Sequence, residues 1–321
     1  MTQDRYEEIL SRVLKAYGKK RPEIAPRVVD KNIDRIIKTY AEAYKEVYSF
    51  LVDAVADIGT STNVTAQASI LVQLEEKLSQ LNNKVAEELN NSLAEAYIEG
   101  QAMHAVATET VKTIEELMVA VPYSLLNHDK IAQASMDTFE DLLFVTQHTS
   151  KESKKVIREI VAKHIQLGVA TNQGHREIMN RIKKELSREN LKRLISDKAL
   201  VGIIDAKGRR WKLKTYIELI VKTKLQHLHI EGLKDHALED GYDLARIPSK
   251  GATDACSNFE GMVISLNGME KEFPSYESLK ATGLIFHPNC RHTPVPIAEF
   301  DLLHEDDKKL HKKLLSNLKN I

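Results

Sequence analysis

Cysteine is scarce in this chain, and that scarcity limits the kinds of protein it can be. Only two of the 321 residues are cysteine, Cys256 and Cys290. A framework of several disulfides is therefore excluded, and in a reducing compartment the two thiols would stay free or bind a metal. A lone disulfide between them is the less favoured alternative.

Long apolar runs are also missing. No stretch approaches the roughly 20 apolar residues of a membrane span. The first ten residues, MTQDRYEEIL, lack the basic and then apolar order of a secretion signal. We therefore expect a protein without membrane contact that is made in a cytosol. With 42% apolar and 29% charged residues, the chain has an ordinary globular composition and is long enough for two cores.

The net charge is zero, but the two signs are unevenly distributed. Residues 42–141 carry 17 acidic and 5 basic side chains, whereas residues 151–235 carry 21 basic and 10 acidic ones. A basic tract of this size attracts double-stranded DNA through non-specific electrostatic contacts. The alternative is that helices expose charges and that one half happens to be basic. The candidate nucleic-acid-binding residues are Lys183, Lys184, Lys192, Arg193, Arg209 and Arg210.

Proline is rare until the last quarter of the chain. Five of the eight prolines lie between Pro248 and Pro296. Because proline interrupts helices, the long proline-free stretches permit long helices, and the proline-rich end indicates loops and strands. The chain therefore divides near residue 200.

Apolar residues at steps of three and four predict helices in the first part. One stripe runs from Ile33 to Ile58 and should end at Gly59, and a second runs from Leu74 to Ala96. We expect an interruption or bend at Gly100. Further helices are predicted up to about Ala120, from about Asn127, after Ser150 and around Ile178. Most stripes are expected to form the core of an elongated bundle, and exposed ones would be docking surfaces for other subunits.

The second part has the pattern of a small α+β unit. Val201–Leu213 reads as a hairpin around an Asp-Ala-Lys-Gly turn, because β-branched residues precede the turn and Trp211 follows it. A helix from about Thr215 to Leu238, ended by Gly241, comes next. The segments DLARI and MVISL are predicted to be short strands.

Thiol and imidazole side chains gather in two short segments of this unit, TDACSNFEG and GLIFHPNCRH. Two cysteines and two histidines predict a tetrahedral zinc site. Pro288 keeps the chain out of a helix, so that the residues on either side of it can turn toward a common point. The alternative is a metal-free turn with packed thiols and hydrogen-bonded histidines. The candidate ligands are Cys256, His287, Cys290 and His292, of which His292 could instead be a hydrogen-bonding residue, and Asp254 is a less favoured ligand.

The order of these elements resembles a known family. IIDAKGRRW, then TYIELIVKTK on a helix, then CSNFEGMVIS and GLIFHPNCRHTPVP resemble the C-terminal domain of minor head proteins of tailed bacteriophages, the phage Mu F-like and minor capsid protein 2 groups. The resemblance covers about residues 200–297, and the helical part is similar only in general character. Many relatives carry Cys-x-x-Cys before the aromatic-Glu-Gly step, but Thr253 stands here at the first of those positions.

The resemblance implies a protein inside the virion capsid, present in few copies and associated with the portal. It would be made in the host bacterial cytoplasm and act in head assembly and in packaging or ejection of DNA. The expected partners are the portal protein, a capsid or scaffolding protein, and double-stranded DNA. The residues expected to support the fold of this domain are Trp211, Tyr216, Glu218, Phe259, Glu260, Gly261 and Pro288.

The sequence thus predicts a mainly α protein with an elongated N-terminal helical bundle and a small α+β C-terminal domain that carries a zinc knuckle. The bundle, over residues 1–199 with a basic part at 151–199, would make portal or capsid contacts. The α+β domain covers residues 200–297, and an amphipathic tail helix covers residues 298–321.

Two other function classes compete with this structural role. One is a metal-dependent hydrolase or nuclease with Glu260 as general base. Glu260 can equally be a turn residue that bonds to backbone N–H groups. The chain lacks the H-E-x-x-H motif, the nucleophile elbow and the phosphate-cradling loop, so no enzyme activity is expected. The other is a cytosolic helical scaffold, which would leave the C-terminal signature without a purpose.

Overall fold

The structure is a computed structural model that describes most of the C-terminal third and parts of the preceding chain. The described residues are 3–17, 32–39, 64–108, 111–122, 127–142, 203–204, 210–211 and 213–318, with a few single positions between them. Contacts divide the chain into two units, the first containing Met1–Ile33, Asn90–Met136 and Val221–Ile321, and the second containing Asp34–Leu89 and Asp137–Ile220. The domain boundaries expected after residues 199 and 297 stay predictions.

Helices dominate the described residues, which confirms the predicted mainly α class. They are α1 (Gln3–Tyr17), α2 (Val64–Ala107), α3 (Ile114–Ala120), α4 (Leu213–Glu239), α5 (Tyr276–Ala281) and α6 (Glu305–Leu318). Residues 32–39 and 128–142 are also helical. Across the described part of the chain, no helix combines the length and apolar character needed to cross a bilayer.

The second unit contains a helical stripe and a hairpin that the sequence predicted. Leu78, Leu81, Val85 and Leu89 on α2 are buried, as their spacing requires. Strands β1 (Ile203–Ile204) and β2 (Arg210–Trp211) pair antiparallel. The predicted helix end at Gly59 lies outside the described residues, as do nearly all residues of the helices predicted after Ser150 and around Ile178.

In the first unit, α1 buries one apolar face. Its buried residues are Tyr6, Ile9, Leu10 and Val13, at the spacing of one helical stripe. The Tyr6 hydroxyl donates a hydrogen bond to the carbonyl oxygen of Val121, which follows α3. Arg5 and Arg12 both form ion pairs with the buried carboxylate of Glu95 on α2. A buried carboxylate requires such partners, since an unpaired charge in the interior is strongly destabilising.

Helices α2 and α4 approach each other at two glycines of the first unit. A Cβ atom at Gly100 would overlap the carbonyl oxygen of His229, and one at Gly232 would overlap the carbonyl oxygen of Tyr97. The backbones can touch only because neither glycine has a side chain. The interruption expected at Gly100 does not occur, since α2 continues to Ala107. The close approach of α4 accounts for a glycine at this position.

The end of α4 has the pattern predicted for a glycine stop. The Gly241 N–H donates to the carbonyl of Leu238 at 3.1 Å, and the Tyr242 N–H donates to that of Ala237 at 2.7 Å. Gly241 has a φ of 85°. This pair of bonds is a Schellman motif, in which a residue with positive φ satisfies the last carbonyls of a helix.

After this stop the chain forms a three-stranded antiparallel sheet. Strand β3 (Leu244–Arg246) lies between β4 (Val263–Ser265) and β5 (Val295–Pro296). Ala245 is opposite Ile264 on one side and Pro296 on the other. The strands predicted from DLARI and MVISL are thus confirmed.

Beneath this sheet lies an apolar cluster that we call the C-terminal core. It consists of Ile230, Ala237, Ala245, Ile247, Cys256, Phe259, Met262, Ile264, Leu266, Tyr276, Leu279, Ile285 and Cys290. Both cysteines of the chain belong to it. The two cysteines that were predicted to bind a metal are therefore held by the same packing that stabilises the sheet.

The predicted tail helix is present as α6, and it packs on its own domain. The buried His311 accepts a hydrogen bond through Nδ1 from the N–H of Val263 at 3.1 Å. Arg246 donates two hydrogen bonds to Asp307, at 2.7 and 3.2 Å. Leu314 packs against the C-terminal core. Of the two alternatives for this helix, packing on the domain is the observed one.

Candidate metal centre

Cys256 is presented by a short helical turn. The 3-10 segment Ala255–Phe259 begins after Asp254, whose side chain accepts a hydrogen bond from the Cys256 N–H at 3.0 Å. This is the N-cap arrangement that short acidic residues provide at the start of a turn. The side chain of Phe259 is fully buried, which anchors the other end of the segment.

The second segment presents its side chains from a tight turn over His287–Cys290. The Cys290 N–H donates to the carbonyl oxygen of His287 at 2.9 Å. Pro288 occupies the second position of this turn, and Asn289 occupies the third with a φ of 66°. Proline followed by a residue with positive φ is the pattern of a type II turn, and asparagine tolerates that conformation better than most residues. The turn brings the imidazole and the thiol to the same side.

Three predicted ligands converge. The Sγ atoms of Cys256 and Cys290 are 3.7 Å apart, and Nε2 of His287 lies 3.1 Å from the Cys256 sulfur. These three donor atoms all lie within 4.8 Å of one another. A tetrahedral zinc with bonds of about 2.3 Å to sulfur and about 2.0 Å to nitrogen sets its sulfurs about 3.8 Å apart and sulfur about 3.5 Å from nitrogen. The donor geometry therefore fits zinc after small adjustments.

The protonation of His287 also suits a metal. Its Nδ1 lies 2.8 Å from the carbonyl oxygen of Pro288, so the proton of the neutral ring belongs on Nδ1. The lone pair of Nε2 is then directed at the two sulfurs. A hydrogen bond from the second ring nitrogen to a carbonyl is the usual way in which a protein orients a metal-binding histidine.

His292 lies beside this trio. Its Nδ1 is 3.4 Å from the Cys290 sulfur, and its Nε2 is 3.0 Å from Oε1 of Glu260. The histidine is buried but is not one of the three donors that lie mutually close. Asp254 flanks the trio on the other side, with Oδ2 3.6 Å from the Nε2 of His287. Of the two, the His292 ring is the better donor for zinc because a carboxylate already orients it.

Glu260 holds several groups of this region together. Its Oε1 accepts hydrogen bonds from the backbone N–H groups of Lys250 and Ala252, at 2.8 and 3.0 Å, in addition to the contact with His292. Its Oε2 accepts one from the Ser249 hydroxyl at 2.9 Å. The carboxylate therefore connects the loop at residues 249–252 with His292, which follows the turn at His287–Cys290. The adjacent Gly261 has a φ of 93°, and a Cβ atom there would meet a leucine of α6.

The electrostatics of the site favour charge on specific groups. Burial would raise the pKa of Glu260, but hydrogen bonds from His292 and the backbone lower it to about 2. Burial would lower the pKa of His292, but Cys290 and Glu260 raise it. Burial would likewise raise the pKa of Cys290, but the hydrogen bond from His292 lowers it to about 7. The pKa of Cys256 is raised, first by burial and then by the neighbouring sulfur.

These positions allow two kinds of chemistry. Two thiols and an imidazole lone pair can bind a soft or borderline cation such as zinc. In addition, Cys290, His292 and Glu260 lie in the order of a nucleophile, a base and a carboxylate that orients the base. The Cys290 side chain is 4% exposed and faces the second sulfur, which favours chemistry between the two thiols over attack on a large substrate.

The other predicted residues are placed as follows. Tyr216 is half-buried on α4 and Glu218 is exposed there, while Pro288 is exposed in the turn. Trp211 lies in β2, but its side chain is outside the described part. Lys183, Lys184, Lys192, Arg193 and Arg209 lie outside the described residues, as does the side chain of Arg210 in β2.

Two features of the site were missed from the sequence. The role of Asn289 could have been found, because a Pro-Asn pair is a recognised turn signal. The bridge from Glu260 to His292 joins residues 32 positions apart. No local pattern reports such a contact, since both residues are placed by the packing of the core.

Comparison with known proteins gives a family. The sequence model of a family described as phage minor capsid protein 2 matches residues 24–313. The match covers most of the chain and includes every residue of the centre described above. No curated protein and no solved structure matches the chain.

Proposed function

We propose that this chain, which belongs to the phage minor capsid protein 2 family, acts inside the phage head at the portal. Membership of the family makes it a structural protein of a phage virion. The match over residues 24–313 is the observation that carries the proposal. The proposed roles within the virion are head assembly and the packaging or ejection of DNA, with the portal and a capsid or scaffolding protein as partners.

We further propose that the Cys/His centre holds a structural zinc ion. Cys256, His287 and Cys290 would bind it, and a small movement of the His292 side chain would complete four ligands. Bound zinc would cross-link segments whose cysteines are 34 positions apart. A site closed by four protein ligands is typical of structural zinc, and its binding free energy contributes directly to folding.

The contacts of Glu260 favour this structural role over hydrolysis. A general base needs a free oxygen within reach of a water or substrate proton. Both oxygens of Glu260 already accept hydrogen bonds within the protein, from two backbone N–H groups, His292 and Ser249. We therefore assign to Glu260 the positioning of the loop and of the histidine.

The portal contact is tested by assembling heads with and without the portal protein of the same phage. When the chain is co-expressed with the portal protein, it should sediment with the portal rings in a density gradient. It should also be depleted from heads that assemble without the portal protein. If portal-free heads contained as much of the chain as complete heads, and no portal ring carried it, the proposed position would be wrong.

DNA contact gives a separate prediction for the basic segment. Changing Lys183, Lys184, Lys192 and Arg193 to glutamine should lower the salt concentration at which the protein elutes from immobilised double-stranded DNA. Each phosphate contact contributes a slope of about 0.9 to the dependence of log affinity on log salt. Four contacts would therefore lower the slope by about 3.6 if all are made.

A matched control separates local contacts from net charge. Lys84, Lys112, Lys309 and Lys313 are exposed and lie outside the basic segment. Changing these four to glutamine alters the net charge equally and should leave DNA retention nearly unchanged. Equal losses in both variants would show that the basic segment is not a DNA-binding surface.

A further inference from the structure

The two sulfurs of the Cys/His centre are placed for a reaction with each other as well as for a metal. Their separation is 3.7 Å, and both side chains are buried in the C-terminal core. A disulfide needs about 2.05 Å between the sulfurs. Closing the gap therefore takes a shift of under about 2 Å, which rotation of the two side chains can supply.

Each sulfur also has an imidazole ring beside it. The ring of His292 lies 3.4 Å from the sulfur of Cys290, with Glu260 on its other nitrogen. The Nε2 of His287 lies 3.1 Å from the sulfur of Cys256, and its Nδ1 is engaged with a backbone carbonyl. The thiolate is the form of cysteine that reacts, and a histidine beside the sulfur is a common setting for a reactive cysteine.

We propose that Cys256 and Cys290 are a modification site, at which a peroxide-class oxidant closes a reversible disulfide that takes the place of the metal. The thiolate of Cys290 attacks one oxygen of hydrogen peroxide, the O–O bond breaks, and the departing hydroxide takes a proton to leave as water. The thiolate of Cys256 then attacks the sulfur of the resulting sulfenic acid, the S–O bond breaks, and the departing hydroxide takes a second proton to leave as water. Two thiols lose two electrons in total, and one peroxide becomes two waters.

The proposed disulfide would suit a virion protein, because its surroundings change from reducing to oxidising. A virion protein is made in a reducing cell and is later released into oxidising surroundings, where disulfides persist. Zinc and the disulfide would join the same two segments of the domain under the two conditions. The inference deepens the proposed structural role of the centre and rests on it only for the release of zinc, because the covalent step needs the two sulfurs alone.

The experiment treats the purified full-length chain, zinc-loaded and metal-free, with hydrogen peroxide. Remaining thiols are then alkylated, and the chain is cleaved at lysine and arginine without reduction. Mass spectrometry should find residues 251–271 linked to residues 281–291, each peptide containing one cysteine. The link should disappear with dithiothreitol, and a chromogenic chelator should detect one zinc released per disulfide from the loaded form.

Variants separate the roles of the two cysteines. In Cys256→Ser the reaction should stop at a sulfenic acid on Cys290, which dimedone traps, and no linked peptide should form. Because a variant can fail to fold, the wild-type peptide map is decisive.

Three outcomes have distinct meanings. Thiols that stay fully alkylatable, or that yield only sulfinic acid or disulfides between chains, would overturn the inference while leaving zinc binding intact. Linkage in a chain that never binds zinc would uphold the disulfide and reject the proposed metal. Linkage that also forms in Cys290→Ser would show that the assignment of the peptides, and with it the inference, is wrong.

Discussion

Replacing Cys290 by serine is expected to release zinc and to loosen the C-terminal domain while the helices of the preceding part remain folded. Serine is nearly the same size but is a poor zinc ligand, so the change removes the metal with little change in packing. A ligand at about 1,000 times its dissociation constant stabilises the folded state by about 4 kcal/mol. We expect a loss of that order, because the C-terminal core supplies the remaining stability.

Hydrogen exchange followed by mass spectrometry measures this effect by segment. Protection should fall in residues 244–297 of Cys290→Ser and stay unchanged in α1. Wild-type protein stripped with a chelator should show the same pattern. Ser257→Ala is a suitable control, because this exposed residue adjoins Cys256 and bonds only to a backbone carbonyl among its described contacts. Purified protein without zinc and a variant with unchanged exchange would together contradict the metal site.

Replacing Gly100 by alanine is expected to destabilise the first unit by several kcal/mol. In an exposed helix the same change would stabilise by about 1 kcal/mol, because alanine is the better helix former. At this position the added methyl group would overlap the backbone of α4 at His229. Backbone atoms cannot rotate away as a side chain can, so the two helices must move apart. Overpacking of this kind costs about 1–3 kcal/mol, and more when backbones separate.

The measurement is the free energy of unfolding in denaturant, with Gly251→Ala as the control. Gly251 has a φ of 65° and open space around it, so alanine there should cost only the strain of that conformation, about 1 kcal/mol. Gly232→Ala should behave like Gly100→Ala. The double variant should cost less than the sum, since the first change already separates the helices. Additive small losses would show that the helices do not cross at these glycines.

Local patterns predicted those parts of the fold that depend on neighbouring residues. Apolar spacing found the buried stripe of α2, because it reflects the period of a single element. The glycine after α4 was found for the same reason. The cluster of apolar residues in MVISL found β4, whose three residues are all buried. The interruption predicted at Gly100 was wrong, because a glycine that interrupts a helix and a glycine that admits another helix look alike in one sequence. The second kind is defined only by its partner.

The residues of the candidate metal centre were predictable to different degrees. Residue types and the proline predicted that Cys256, His287 and Cys290 would meet, because thiol and imidazole side chains in a loop-rich domain have few other common uses. Hydrogen bonds from backbone N–H groups to Glu260 were one of the predicted alternatives, and they are confirmed. The contact of Glu260 with His292 and the role of Asn289 were not predicted, since one depends on a contact across the core and the other on a backbone conformation.

The amino-acid sequence was enough to predict the helical class, two of the three strands of the C-terminal sheet, the candidate ligands and the resemblance to phage minor head proteins. These follow from residue chemistry and from periods within single segments. The folded structure was needed to find that two glycines admit a helix crossing, that the tail helix packs on its own domain, and that Glu260 positions His292. Each of these is a contact between distant segments, and such contacts are selected by the shape and the polar partners of the whole core.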